Sequence, residues 1–213
     1  MKILFFAFAF LLPTKKTEDE KKWIFLKEKD GIKVFYHHST KNTINEVKIL
    51  TTFKTNLSTI TEVFKDVESY PKWVYKAQNS NIVKKISPLE IEYYNHLDFP
   101  WPIDDREIVI HNTISQNQKT KILTSISRAS NTAIPKNNKY VRITEFHSKW
   151  TFIPLNNGLI NGEYIFKSDP GGNIPVWLIN LSLDEGPIKT ITNFKIQLAL
   201  AKYTKINSLN ILN

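Results

Sequence analysis

Arg106 is the residue of this 213-residue chain best placed for selective recognition chemistry. It heads the apolar run Arg106-Glu107-Ile108-Val109-Ile110 and follows two acids, Asp104 and Asp105. A guanidinium chelates two oxygens of a phosphate or carboxylate. The chemistry on offer is therefore anion recognition, whether of a lipid headgroup or of Asp104, Asp105 or Glu92 inside the chain. If residues 106–115 form a strand, Arg106, Ile108, Ile110, Asn112 and Ile114 share one face. Glu107, Val109, His111 and Thr113 share the other. The isoleucine face is the inward one, which brings Arg106 to the rim or interior of a cavity. An unpaired charge there would cost several kcal/mol. Asn112 becomes a buried amide in need of partners, met either by the core or by a ligand. Glu90 and Glu92 share one strand face, where solvent or salt bridges account for them.

Other chemistries lack their residues. The chain has no cysteine, which excludes disulfides, thiolate nucleophiles and thiolate-bound zinc. Its histidines, His37, His38, His96, His111 and His147, form no HExxH motif, and no metal site is expected. No GxSxG, P-loop or GxGxxG run is present. Neither a catalytic residue nor a cofactor is expected. The net charge of +9 favours anionic partners. The lysines are scattered and no Arg-rich run occurs, which points to transient contact with an anionic membrane surface and not to nucleic acid. With 13 Phe, 8 Tyr and 5 Trp, the chain can both fill a core and line a void. Tyr93, Trp101, Trp177, Leu181, Ile191 and Phe194 are the candidates for that lining.

The elements that must hold these residues follow from periodicity. Met1-Lys2 precedes ten apolar residues, Ile3 to Leu12, and then Pro13-Thr14-Lys15-Lys16. Residues 1–16 are a candidate signal peptide or hydrophobic tail, too short to span a bilayer. Export to the periplasm or medium is the expectation, with a cytoplasmic location as the alternative. Residues 17–213 form one domain. Residues 18–29 have an amphipathic helical pattern ended by Asp30-Gly31. Two strands follow, with a turn at Lys41-Asn42. Residues 56–67 are a helix capped by Asn56 or Thr55, and Pro71 starts a short turn carrying Trp73. Strands are predicted at residues 81–86, 90–99, 106–115, 121–128, 140–152 and 159–167. Asn156-Asn157-Gly158 marks a hairpin. Residues 175–203 are helical, with a kink or break at Gly186-Pro187. Gly171 and Gly172 allow tight backbone angles before Pro175 fixes the helix entry. The order of elements is α+β, an antiparallel meander with one long helix left to cover it.

Two of these stretches resemble a known family. Phe99-Pro100-Trp101-Pro102-Ile103-Asp104-Asp105-Arg106-Glu107-Ile108-Val109 is similar to the proline-aromatic turn and Arg-Asp strand of START lipid-transfer domains. Asp169-Pro170-Gly171-Gly172-Asn173-Ile174-Pro175-Val176-Trp177-Leu178-Ile179-Asn180 is similar to the family's junction between sheet and lid. The stretch Val67-Glu68-Ser69-Tyr70-Pro71-Lys72-Trp73 also fits, and the phosphatidylcholine-transfer branch is the most similar. The resemblance implies a helix-grip fold, in which about eight or nine curved antiparallel strands wrap a long C-terminal helix. It also implies one phospholipid, sterol or related lipid held in an enclosed cavity, without a cofactor, for transfer or sensing. Arg106 would meet an anionic headgroup, and Gly171, Gly172 and Pro175 would form the lid junction. One position departs from the pattern. Sterol-binding members carry a second arginine along this strand, opposite an acid; here Asn112 stands in its place, with Glu92 near the acid's. Two other readings stand beside this one. One is a polyketide cyclase-like enzyme built on Arg106, Glu92, Asn112 and Tyr93. The other is a protein-interaction module using the basic face.

Overall fold

The computed structural model describes residues 21–38, 43–130, 134–181, 183–206, 208 and 211–213. The apolar run Ile3 to Leu12 and the Lys41-Asn42 turn lie outside them. The described chain begins with a hairpin of β1 (Ile24–Lys29) and β2 (Ile32–His37). Asp30 and Gly31 both take positive φ, 51° and 71°, as a two-residue hairpin turn requires. This corrects the helical reading of residues 18–29: Ile24 to Lys29 form an exposed strand, and Phe25 packs edge-on against Phe35 across the pair at 5.6 Å. Apolar and charged residues mix there in a way both periods tolerate, and the Asp-Gly turn decides for the strand.

Strand β3 (Glu46–Lys54) leads to helix α1 (Leu57–Lys65). Asn56 caps α1 by accepting from the Thr59 amide at 2.8 Å. A 3-10 helix over Val67–Lys72 contains Pro71. Strands β4 (Ala77–Ser87), β5 (Glu90–Leu97), β6 (Arg106–Gln116) and β7 (Leu123–Ala129) follow as a meander. The strand predicted over residues 140–152 is instead two pieces, β8 (Val141–Arg142) and β9 (Glu145–Pro154). The short β8 pairs parallel with β6 beside its first two residues. Glu107 and Val109 are buried despite pointing away from the cavity. Arg142 donates to Glu107 there at 2.9 Å, an ion pair removed from water on both sides. The β9–β10 turn uses Asn157 and Gly158 at positive φ, and β10 spans Leu159–Asp169.

These strands make one sheet in the order β1-β2-β3-β10-β9-β7-β6-β5-β4, antiparallel apart from β8. The C-terminal helix occupies its concave side, as the helix-grip expectation requires. That helix comes in three pieces: α2 (Val176–Leu181), α3 (Glu185–Leu198) and α4 (Ala201–Thr204). The break precedes Gly186-Pro187 instead of falling on it. Pro187 has no amide to donate and sits in the first turn of α3, where no donor is needed. Ile188, Ile191, Phe194 and Leu198 face the sheet from α3, all buried. Phe194 meets the rings of Phe53, Phe64, Trp73 and Trp150 at 5.0–5.7 Å. Gly162 on β10 is what lets Phe53 into this cluster, since a Cβ at 162 would stand 2.4 Å from its ring. Gly162→Ala should therefore lose about 1–3 kcal/mol of stability by overpacking. Urea denaturation measures it; a midpoint unchanged from the parent would show the ring to be free to move.

Candidate functional site

The rings that hold α3 fill only part of the concavity. Beside them an inner chamber of about 270 Å³ remains between the sheet and the start of α3. Ile108, Ile110 and Asn112 of β6 line it, together with Tyr93 of β5, Trp150 of β9 and Tyr164 of β10. The alternation predicted for β6 thus holds, and its isoleucine face is the inward one. An outer pocket of about 490 Å³ adjoins the inner chamber. Leu97, Phe99 and Ile103 form one wall of it; Ile174, Leu178 and Ile179 of the α2 region form the other. Tyr75, Leu97, Phe166, Ser168, Gly186 and Pro187 belong to both spaces, so they make the neck between them.

The inner wall carries a polar band. Asn112 donates through its amide nitrogen to Ser125 Oγ at 2.7 Å and Ser127 Oγ at 2.9 Å. Ser127 also lies beside the Tyr93 phenol and Ser148 beside that of Tyr164, each favouring the ionised form. Burial raises the Tyr93 phenol well above its ordinary value; the neighbouring Tyr164 adds to the rise and Ser127 opposes it. Burial likewise pushes the Tyr164 phenol up to about 12, with Ser148 opposing the rise. Both stay protonated across the physiological range. The band is a set of neutral hydrogen bonds, and Asn112 finds its partners in the core.

Arg106 stands outside both spaces. Its side chain is buried, and each of its nitrogens is engaged by backbone. Nε donates to the Pro170 carbonyl and Nη2 to that of Gly171, both at 3.1 Å. Nη1 donates to the Asp104 carbonyl. The guanidinium lies 4.9 Å from the Phe99 ring centroid. Burial lowers its pKa, against the pull of Asp104 and Asp105. Arg106 thus ties the head of β6 to the end of β10, where the chain turns into α2. The glycines are explained by the same contact: Gly171 and Gly172 take φ of 65° and 70°, and a Cβ at 172 would lie 3.2 Å from Nη2. Pro175 ends the junction, its carbonyl accepting from Leu178 and Ile179 as the first turn of α2.

The remaining candidates separate. Glu92 faces the other side of the sheet and accepts from Ser130 Oγ at 2.7 Å. Arg106, Glu92, Asn112 and Tyr93 therefore do not converge on one point. Ile191 and Phe194 are wholly buried in the core behind the chamber, and Thr190 faces the chamber instead. Trp101 and Trp177 are 92% and 64% exposed, beside the mouth and not within it. Of Leu181 only the backbone is among the described residues. Sequence reasoning missed Trp73, Asn95, Ser125, Ser127, Ser148 and Tyr164. Strand alternation was the signal available: Ser127 pairs with Asn112 and Tyr164 with Trp150 in the sheet register.

Comparison with known proteins adds the following. A START domain model matches residues 7–200. An uncharacterized protein of Pseudomonas aeruginosa is 25% identical over 173 residues, spanning 81% of this chain and 85% of that protein. A STAR-related lipid transfer protein of Xanthomonas axonopodis superposes with a TM-score of 0.77 at 25% identity, over 84% of this chain and 99% of that one. Human STARD10 shares the fold with a TM-score of 0.73 at 15% identity, over 83% and 72% of the two chains.

Two outcomes follow from the Arg106 clamp and its loop. Arg106→Ala leaves carbonyls of the junction without a donor, a loss of about 1–3 kcal/mol. Amide exchange at residues 170–176 should speed up more than exchange in β9; equal acceleration throughout would deny the clamp. Asp105 accepts from the Phe99 amide at 2.9 Å and bonds the His96 ring at 2.8 Å. First the Phe99 amide and then His96 hold its carboxyl below the ordinary 3.8. A depressed carboxylate contributes stability above its unfolded value and loses it as pH falls through the folded one. Exchange in residues 98–105 should therefore rise below about pH 4, and Asp105→Asn should show that rise already at neutral pH.

Proposed function

We propose that this chain, which belongs to the START domain family, binds one lipid between its sheet and its C-terminal helix and carries or senses it. One observation supports this most: an uncharged chamber walled by rings and isoleucines leads into an apolar pocket roofed by α2. An acyl chain passing from water into such a lining gains about 0.8 kcal/mol per methylene. The similarity to lipid transfer proteins supports the same class of ligand.

The reading is that of a carrier or sensor and not of an enzyme. General acid–base catalysis uses groups that titrate near the working pH. The inner lining offers amides, hydroxyls and phenols, and burial raises the phenols away from that range.

Delivery requires contact with a bilayer, and the mouth is furnished for it. Trp101 on the turn between β5 and β6 and Trp177 on α2 are both exposed, and each neighbours residues that line the outer pocket. Indole rings settle at the interface between headgroups and hydrocarbon. The net charge of +9 adds attraction to anionic headgroups. Export is part of the proposal; sequencing the amino terminus of the native protein tests it, and an intact Met1 counts against cleavage.

Native mass spectrometry of the protein from its own host should show a single lipid adduct. Transfer of a fluorescent long-chain lipid, whichever headgroup the protein retains, between phosphatidylglycerol-containing vesicles should fall by about tenfold in a Trp101→Ala, Trp177→Ala double variant with an unchanged melting temperature. A chain that carries no adduct and moves no lipid between vesicles is not a lipid carrier.

A further inference from the structure

Most polar groups in the inner chamber satisfy one another, but two do not. Asn95 is 3% exposed, and its Oδ1 has no hydrogen-bond partner. Trp73 is 4% exposed, and its Nε1–H has no acceptor. Both residues line the inner chamber. Asn95 sits on β5 two residues beyond Tyr93, on the same inward face. A buried polar atom without a partner costs about 1–3 kcal/mol, so native structures rarely keep one without a reason.

Charge is equally informative. Among the described residues, those around the inner chamber include no Asp, Glu, Lys, Arg or His. Arg106, at the head of β6, is spent on the carbonyls of Asp104, Pro170 and Gly171. Among the described residues, charged side chains enter at the outer pocket, as Lys76 and Glu185. A phosphate or carboxylate in the inner chamber would be an unpaired buried charge. A group that both donates and accepts while carrying no charge would complete Asn95 and Trp73.

We infer that the inner chamber selects a neutral, hydroxyl-bearing lipid, whose hydroxyl end supplies the donor missing at Asn95 and the acceptor missing at Trp73. This rests on the lipid-binding reading and narrows it. The inner space of about 270 Å³ corresponds to roughly nine water volumes, so a long chain must continue through the neck into the outer pocket. A long-chain alcohol or a monoacylglycerol has the required chemistry. An ionised fatty acid or a phospholipid headgroup does not.

Radiolabelled hexadecanol, palmitate and lysophosphatidylcholine of equal chain length, presented from cyclodextrin at about pH 8, discriminate the cases. There palmitate is ionised in water. The intact protein should hold hexadecanol about tenfold more tightly than either charged probe. Asn95→Leu should reduce hexadecanol binding about tenfold and leave palmitate unchanged. Trp73→Phe keeps the ring, removes the donor and should act in the same direction, which guards against a folding defect in the first variant. Palmitate or lysophosphatidylcholine bound as tightly as hexadecanol would overturn the inference while leaving lipid binding intact. So would hexadecanol binding indifferent to both substitutions. Retention of none of the three would remove the lipid-binding reading itself.

Discussion

The packing of Phe194 against the rings of Phe53, Phe64, Trp73 and Trp150 sets the height of α3 above the sheet. Ring pairs at these separations attract beyond the area they bury, and they do not compress. The helix is thus propped at one end by aromatic width. Toward its amino end the inward positions are Gly186, Pro187 and Thr190, which are too small to reach the strands. The void is a consequence of that taper. A core of large residues along the whole of α3 would close it, and a sheet without the ring cluster would let the helix fall in.

The second constraint lies where β10 leaves the sheet. A buried guanidinium whose hydrogen bonds go to carbonyl oxygens is held by dipoles and a ring face, with Asp104 and Asp105 adding their charge nearby. It fixes where the roof begins. The chain runs this close because Gly172 has no Cβ to meet the guanidinium and Gly171 none to meet Val141. The chain thus uses its best phosphate ligand as a structural clamp, and it leaves the chamber's polar requirements to amides, hydroxyls and an indole. The polar groups on the chamber wall are accordingly neutral ones.

What was legible in the sequence was whatever local backbone chemistry decides. Asn56 caps α1, Asn157-Gly158 turns the β9–β10 hairpin, and Gly171-Gly172 bend the junction, each because few other residues meet those requirements. Strand alternation also placed Ile108, Ile110 and Asn112 inward. Partners distant in the chain were not legible. Arg106 is bonded to carbonyls 64 and 65 positions away, and no spacing rule reaches that far. The Glu107–Arg142 pair was not legible for the same reason, since it depends on β8, 35 positions further on, pairing beside β6. Aromatic composition announced a lining but could not say that Trp101 and Trp177 point to solvent while Trp73 and Trp150 point in. The Asp30-Gly31 signal was present and was misassigned to a helix end, because residues 23–29 satisfy two periodicities at once.

Gly186 stands at the neck shared by the two spaces, and a Cβ there would come within 2.9 Å of the Tyr75 ring. Tyr75 is anchored to the same helix by its amide, which donates to Thr190 Oγ1 at 3.1 Å. The aperture between the rooms is thus framed by bare main chain on one side and a tethered phenol on the other. A single methyl at this position would act as a stopper, leaving a vestibule without a back room. In this chain the passage from the outer room to the inner one hangs on one hydrogen's worth of missing side chain.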